Sequence, residues 1–403
     1  VTGRRITHAV LKGRSNYACL RSVADLVAES VGALMPGDRM VAGFLTSWLV
    51  QSEQADLEAL SPEAAKLLAD LPQAVEEVRA HRWRCVGGAA GGCDCAQMCA
   101  LRRLRIAAER SHLVITSQAL LLADIGRDAL PDYRDVVIDE AHHLEETATQ
   151  ALTLELSAYS LAHVARLTGA GGGEGRDVLS GIAKVKQLLE TGPEAWTTEA
   201  AWWSEWTAAW YEQSETLGEG VLGLLGVPGK AMREPVDKRL TEEVRSTDGW
   251  AAVEQEIGKI REMIGQAVER LKSLGSKVRE QAAAEGVDLQ EFLNDQAAAA
   301  LALAELEPAI EHLLGGAQGR VMWAEARPEA GTPTWGLYSA PIDVAEPLNE
   351  TLLRECASLV LTGATITVDE SFAFYRQQCG LDAQAQRLVE LIVPSPFDWQ
   401  RPL

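Results

Sequence analysis

The 403-residue chain has no apolar run approaching the roughly 20 residues that a bilayer-spanning helix needs. It carries no signal-peptide pattern of basic, apolar and small-residue regions. It is short of basic residues: 37 Lys and Arg face 58 Asp and Glu, a net charge of −21. That excludes a surface that coats nucleic acid everywhere, but a whole-chain charge does not describe a local patch. The phosphate loop G-x-x-x-x-G-K-[ST] is also missing from these residues. Gly229-Lys230 is followed by Ala231 and lacks the upstream glycine, and Gly169–Gly175 sits among helical patterns rather than after a strand.

What is present begins with a core. Hydrophobic residues make up 47% of the chain, enough for two to four domains at this length. The chain starts at Val1 inside a strand-like segment and stops after SPFDWQRPL, so both ends are expected to be cut. Seven arginines face only Asp94 and Glu109 between Arg79 and Arg110. Arg82, Arg84, Arg102, Arg103 and Arg105 belong to this basic island. It is either a solvated helix face or a phosphate-binding surface.

The island overlaps a cysteine cluster. Cys19, Cys85, Cys93 and Cys99 give C-x65-C-x7-C-x5-C. Clustered cysteines without an export signal point to metal rather than to disulfides. Four thiolates suit a [4Fe–4S] cluster or a structural zinc, and the loose spacing leans to iron–sulfur. Cys95 is a fifth candidate, which in place of Cys93 gives gaps of x9 and x3. Cys356 and Cys379 lie in apolar surroundings and read as core.

The stretch VVIDEAHHLEETA, from Val136 to Ala148, reads as a buried strand followed by two carboxylates and two histidines. An aspartate at such a strand end can hold Mg²⁺ while the next glutamate orients and deprotonates a water. These roles fall to Asp139 and Glu140. Ala141 is small enough to leave room for a phosphate, and His142 can bond toward a neighbouring strand end. The bland alternative is an acidic helix N-cap at Asp139. A zinc pair from His142 and His143 is weaker, because neighbours on a helix diverge by about 100°. A second apolar strand, LVLTGAT, ends in the hydroxyls of Thr362 and Thr365.

The organisation is α/β material interrupted twice. Strand patterns occur in THAVLKG, SHLVITS, DVVIDEA, RVMWAEA, TWGLYSAP and SLVLTGAT. The segment from about Ala148 to Leu314 reads as almost wholly helical, with long helices expected at 177–190, 195–216, 247–274 and 286–314. Trp196, Trp202, Trp203, Trp206 and Trp210 recur at helical spacing. That suits a helix–helix core, with base stacking as the alternative. One parallel-sheet domain carrying two insertions accounts for the pattern.

GRSNYAC, the later cysteines, VVIDEAHHL, YSAPIDVAEPL, LTGAT and SPFDW occur here in the order expected of the XPD/DinG group. The chain resembles these superfamily 2 iron–sulfur DNA helicases, the DinG-like bacterial branch above all, along essentially its whole length. The resemblance implies an α/β fold: a partial RecA-like motor domain with an inserted iron–sulfur domain and an inserted helical arch. The implied division is 1–18 motor, 19–110 iron–sulfur, 111–150 motor with the DEAH strand, 151–318 arch, and 319–403 motor with the LTGAT strand and the link to a second motor domain. It implies ATP-dependent 5′-to-3′ translocation on single-stranded or forked DNA, with Mg²⁺, ATP and a [4Fe–4S] cluster. Cys19, Cys85, Cys93 and Cys99 become the ligands, and His142, Thr362 and Thr365 couple hydrolysis to movement. A bacterial cytoplasmic, nucleoid-associated location and no membrane partner follow. The family's phosphate loop lies upstream of the matching segment, so this segment alone is expected to be inactive.

Three departures stand out. Ser117-Gln118 replaces an Asn-His pair, Gly363 replaces a serine, and the Cys85–Cys93 loop is long. The competing classes are a non-catalytic DNA-binding or assembly module and an unrelated zinc-stabilised protein. The helicase reading makes 136–139 and 359–362 adjacent parallel strands, with Asp139, Glu140, His142, Thr362 and Thr365 gathered at their ends and the four sulfurs converging elsewhere.

Overall fold

The computed structural model describes residues 6–32, 36–80, 93, 95–124, 130–169, 177–189, 192–227, 232–316, 318–329 and 333–394. Along the chain come β1 (His8–Val10), α1 (Leu20–Gly32), α2 (Pro36–Gln51), α3 (Pro62–Leu67), α4 (Leu71–Val78) and α5 (Ala100–Glu109). Next are β2 (Leu113–Ile115), α6 (Gln118–Asp124), β3 (Asp135–Ile138), α7 (Leu144–Ala151), β4 (Leu154–Ser157), α8 (Ala158–Thr168) and α9 (Val178–Leu188). Then follow α10 (Pro193–Leu224), β5 (Val236–Arg239), α11 (Glu242–Arg245), α12 (Asp248–Glu285) and α13 (Gln290–Gly315). The last are β6 (Arg320–Arg327), β7 (Thr334–Pro341), α14 (Ala345–Leu348), β8 (Ser358–Leu361) and α15 (Ala373–Gln378).

The long helices start and stop where side-chain chemistry allows. The Thr247 hydroxyl accepts the Trp250 N–H at the start of α12, which ends at Gly286 with φ +68°. Pro193 opens α10, where its missing N–H costs nothing. Ser157 and Ser160 close a reciprocal cap on α8. Each of the four expected helices in this stretch is present.

The chain divides into two units: Val1–Val114 with Leu154–Ser339, and Ile115–Thr153 with Ala340–Leu403. The first holds two hydrophobic cores. One joins α1, α2 and α4 through Val23, Val41, Leu45, Leu71 and Val78. The other runs through α8–α10, α12 and α13. Trp196, Trp203, Trp206 and Trp210 are buried in it, so these tryptophans pack helices rather than face solvent.

One part of this unit differs from the helical pattern read in the sequence. β4 and β5 join β6 and β7 in a four-stranded sheet of order β4-β7-β6-β5, with β4 antiparallel to β7 and β5 antiparallel to β6. LELS and VDKR are too short to display a period, and VDKR is a polar edge strand, so neither is visible locally. Residues 320–339, grouped in the sequence with the motor strands, lie through this sheet in the first unit.

The second unit is mixed α/β around a parallel pair. β3 pairs with β8 in the register Asp135↔Ser358 through Ile138↔Leu361. Ile138, Leu121, Leu122, Leu144, Leu348, Leu352 and Tyr375 build its core, with Val136, Leu359 and Leu361 packed against it. β3 is not buried on both faces as its apolar run suggested. Val137 and its partner Val360 are 70% and 51% exposed, because alternate strand residues face opposite sides and the unit's own core takes one side only.

Candidate active site

The second unit brings the DEAH corner and the TGAT turn together at the carboxyl ends of β3 and β8. Beyond the last strand pair the ladder continues: the Thr362 N–H donates to the Ile138 carbonyl at 2.9 Å, and the Ala141 N–H donates to the Thr362 carbonyl at 2.9 Å. Ligands of open parallel sheets bind outside such an edge.

Asp139 and Glu140 are both exposed there. Glu140 has φ 48° and ψ 44°, a left-handed conformation that a side chain with a Cβ adopts only when its surroundings enforce it. Several bonds do so. The Glu140 N–H donates to Asp139 Oδ1 at 2.9 Å. The side-chain amide of Gln118 donates to the carbonyls of Asp139 at 2.8 Å and Glu140 at 3.2 Å. The Tyr375 phenol donates to the Ala141 carbonyl at 2.8 Å. Burial pushes the Tyr375 phenol well above its ordinary range, and burial likewise raises the neighbouring Cys379 thiol to about 11. Cys379 and Cys356 are core residues, as read in the sequence.

His142 Nδ1 lies 3.2 Å from Glu140 Oε2 without the alignment of a hydrogen bond. Its ring centroid is 4.0 Å from that of His143. So His142 approaches Glu140; among the described residues it makes no hydrogen bond to Thr362 or Thr365. Both threonines are exposed, and Thr362 joins the corner through its backbone. Gly363 abuts Ala141: a Cβ there comes within 3.4 Å of the Ala141 nitrogen and 3.2 Å of Ile366 Cγ1. Gln118 and Tyr375 were missed as site residues. Gln118 carried a signal, as a departure from the family pattern, whereas nothing local marks Tyr375.

The cysteine segment is described in part. Cys85, Arg82 and Arg84 lie outside the described residues. Cys19, Cys93, Cys95 and Cys99 are half-buried. Cys19 is fixed beside the end of α4 by its N–H to the Val78 carbonyl at 2.7 Å, and the Ala80 N–H returns to the Tyr17 carbonyl at 2.8 Å. Residues 95–98 form a turn leading into α5, with Cys99 at its N-cap position. Among the described residues no three His, Cys, Asp or Glu side chains group closely enough to hold a metal ion. The described cysteines therefore do not make a metal site by themselves. Arg102 and Arg105 on α5 are half-buried, while Arg103 is exposed and donates to the Glu53 carbonyl at 2.9 Å.

No family model matches the chain. Curated proteins do. DinG of Bacillus subtilis, named a 3'-5' exonuclease, is 24% identical over 414 residues, covering 98% of this chain and 41% of that protein. YoaA of Escherichia coli, named an ATP-dependent DNA helicase, is 23% identical over 405 residues, 98% of this chain and 52% of that protein. The chain is thus similar to DinG and YoaA along nearly its whole length. A third relative, the ATP-dependent helicase DinG of Mycobacterium tuberculosis, is 29% identical over 179 residues, 40% of this chain and 26% of that protein. The chain spans about half or less of the length of these relatives. No described helix is long and apolar enough to cross a membrane.

Proposed function

We propose that this chain works in an ATP-dependent DNA helicase that moves 5′ to 3′ on single-stranded or forked DNA. The observation that carries the reading is the parallel pairing of β3 with β8, which puts Asp-Glu-Ala-His and Thr-Gly-Ala-Thr on one sheet edge. Asp139 is the residue that would hold Mg²⁺ at the triphosphate, and the metal's chemistry is to neutralise charge on the phosphates. Glu140, exposed beside it, orients the attacking water and takes its proton. His142, Thr362 and Thr365 transmit the state of the site toward translocation.

In the same reading, Cys19, Cys85, Cys93 and Cys99 hold a [4Fe–4S] cluster that braces the cysteine segment as an iron–sulfur domain. Arg82, Arg84, Arg102, Arg103 and Arg105 contact DNA phosphates, and the helical segment with its four-stranded sheet is the arch. The support is the motif order together with the whole-chain similarity to DinG and YoaA. A bacterial cytoplasmic, nucleoid-associated protein fits this function. The second reading is a DNA-binding or assembly module without catalysis, and the intact Asp139-Glu140-Ala141-His142 argues against it.

The deciding experiment is DNA-stimulated phosphate release by the protein expressed from its complete reading frame, with Glu140→Gln beside it. The helicase reading expects activity that Glu140→Gln abolishes. Absence of activity in both, with DNA binding retained, selects the second reading. The 403-residue chain alone is expected to release no phosphate, because the G-x-x-x-x-G-K-[ST] motif that cradles a triphosphate does not occur in its sequence.

A further inference from the structure

Gln118 stands where a histidine is usual in the resembled family. In the structure it is the first residue of α6, directly after the strand end of β2. Ser117 caps that helix, its hydroxyl accepting the Leu120 N–H at 3.2 Å. The two residues of the departure thus divide the work: Ser117 begins the helix and Gln118 reaches away from it. The Gln118 Nε2 meets two successive main-chain carbonyls, those of Asp139 and Glu140, at 2.8 and 3.2 Å. An amide nitrogen carries two donors, so it can serve both. The opposite orientation of the amide sets an oxygen against two carbonyl oxygens and is excluded by chemistry.

The two carbonyls flank Glu140, the residue whose backbone is left-handed. The remaining main-chain groups of this turn are held from elsewhere. The Ala141 N–H is held by Thr362, and the Ala141 carbonyl by Tyr375. The Glu140 N–H is held by the Asp139 side chain, and the Glu140 carbonyl also accepts from the His143 N–H at 3.0 Å. Among the described residues, only Gln118 bonds the main chain on both sides of the Glu140 Cα from outside the segment.

We propose that Gln118 is a positioning residue for ATP hydrolysis, fixing the direction of the Glu140 carboxylate by clamping the carbonyls before and after its Cα. The proposal rests on the helicase reading for the reaction, but its structural half stands on these bonds alone. In this assignment Gln118 contacts the Glu140 turn and not the reacting atoms. It acts through the backbone of Glu140, which otherwise has other left-handed and right-handed conformations within reach.

The test compares Gln118→Glu, Gln118→Ala and Gln118→His in the protein expressed from its complete reading frame. Gln118→Glu is nearly isosteric but turns oxygen toward both carbonyls. Gln118→His restores one ring N–H and is the residue usual in the resembled family. The expected result is a fall of about tenfold or more in kcat for Gln118→Glu with the ATP KM within about twofold, and recovery to within about threefold in Gln118→His. Misplacement of a general base lowers kcat without weakening substrate binding; a partly unfolded population also lowers apparent kcat and leaves KM unchanged, so kcat is referred to the folded fraction of each variant measured by circular dichroism. The second readout is amide hydrogen exchange on the 403-residue chain. Faster exchange at Ala141 is expected in Gln118→Glu and Gln118→Ala, with protection of Val136 to Ile138 and Leu359 to Leu361 unchanged. Wild-type kcat in Gln118→Glu overturns the proposal, and so does unchanged exchange at Ala141. Loss of protection along both strands overturns it as well, since Gln118 is then a general stability residue. If the wild-type protein shows no ATP hydrolysis, the helicase reading fails, and the exchange readout alone decides whether Gln118 is the clamp.

Discussion

The Ala141 N–H donates to the Thr362 carbonyl at 2.9 Å, across 221 residues of chain. This bond extends the β3–β8 ladder past the strand ends and ties the two motifs to each other through backbone. Side-chain substitutions at Thr362 therefore leave the join intact, and the residues that brace it are found elsewhere.

Tyr375 is one of them. Its phenol reaches the Ala141 carbonyl from within the core, at 2.8 Å. That carbonyl keeps the Leu144 N–H as a second partner, so Tyr375→Phe leaves it satisfied and otherwise frees only the weak thiol bond of Cys379. A loss of about 1 kcal/mol is expected in urea unfolding of the second unit's signal. An unchanged midpoint would show that the phenol contributes nothing to the corner.

Two glycines of the same unit contrast. Gly363→Ser adds a Cβ at 3.2 Å from Ile366 Cγ1 and 3.4 Å from the Ala141 nitrogen, so small shifts absorb it. A destabilisation below about 1 kcal/mol is expected. Gly380 has φ +73°, and a Cβ there falls 2.2 Å from the Ala345 carbonyl oxygen. Backbone has nowhere to yield, and Gly380→Ala is expected to cost more than about 2 kcal/mol. Paired denaturation curves check both, and equal costs would contradict the packing at each position.

Asp295 on α13 gives a pH dependence. Burial raises its carboxyl from 3.8 to about 6. The groups around it are Arg21 on α1, Lys184 and Asp177 at α9, and Glu291 on its own helix. Arg21 itself is buried and donates to Glu291 at 2.7 Å. The folded state holds the Asp295 proton more tightly than the unfolded state. Stability is therefore lost as pH rises from about 4 to about 6, and the cost is complete above that window. Asp295→Asn is expected to stabilise the protein at pH 7.5 by about 1–3 kcal/mol, and to change little at pH 4. A thermal-melt difference independent of pH would rule this out.

Iron content tests the cysteine assignment. In anaerobically purified protein, serine at Cys19, Cys85, Cys93 or Cys99 is expected to lower bound iron, whereas Cys95→Ser keeps it. Iron retained in Cys93→Ser but lost in Cys95→Ser moves one ligand by two positions. Zinc in place of iron would remove the cluster from the proposed function.

Much of the architecture was legible because its causes are local. The helices α9, α10, α12 and α13 announce themselves by apolar residues at helical period between Gly, Pro and Thr stops. The Trp-rich stripe reads as core for the same reason. VVI and LVL read as strands, and the carboxylates after Ile138 read as a site because two acids at the end of an apolar strand can serve a metal and a water. What the residues alone could not select is partnership. Nothing within VVID specifies LVLT, and the expectation that they pair came from the family's motif order; parallel pairing depends on a long crossover whose closure is tertiary. Tertiary packing also recruited LELS and VDKR into a sheet with β6 and β7, and took residues 320–339 with it. It alone decided that Glu140 is left-handed and that Gln118 and Tyr375 hold its turn. A hydrogen bond from a side chain 21 residues away to a backbone carbonyl leaves no period or spacing to read; only the folded backbone brings donor and acceptor within reach.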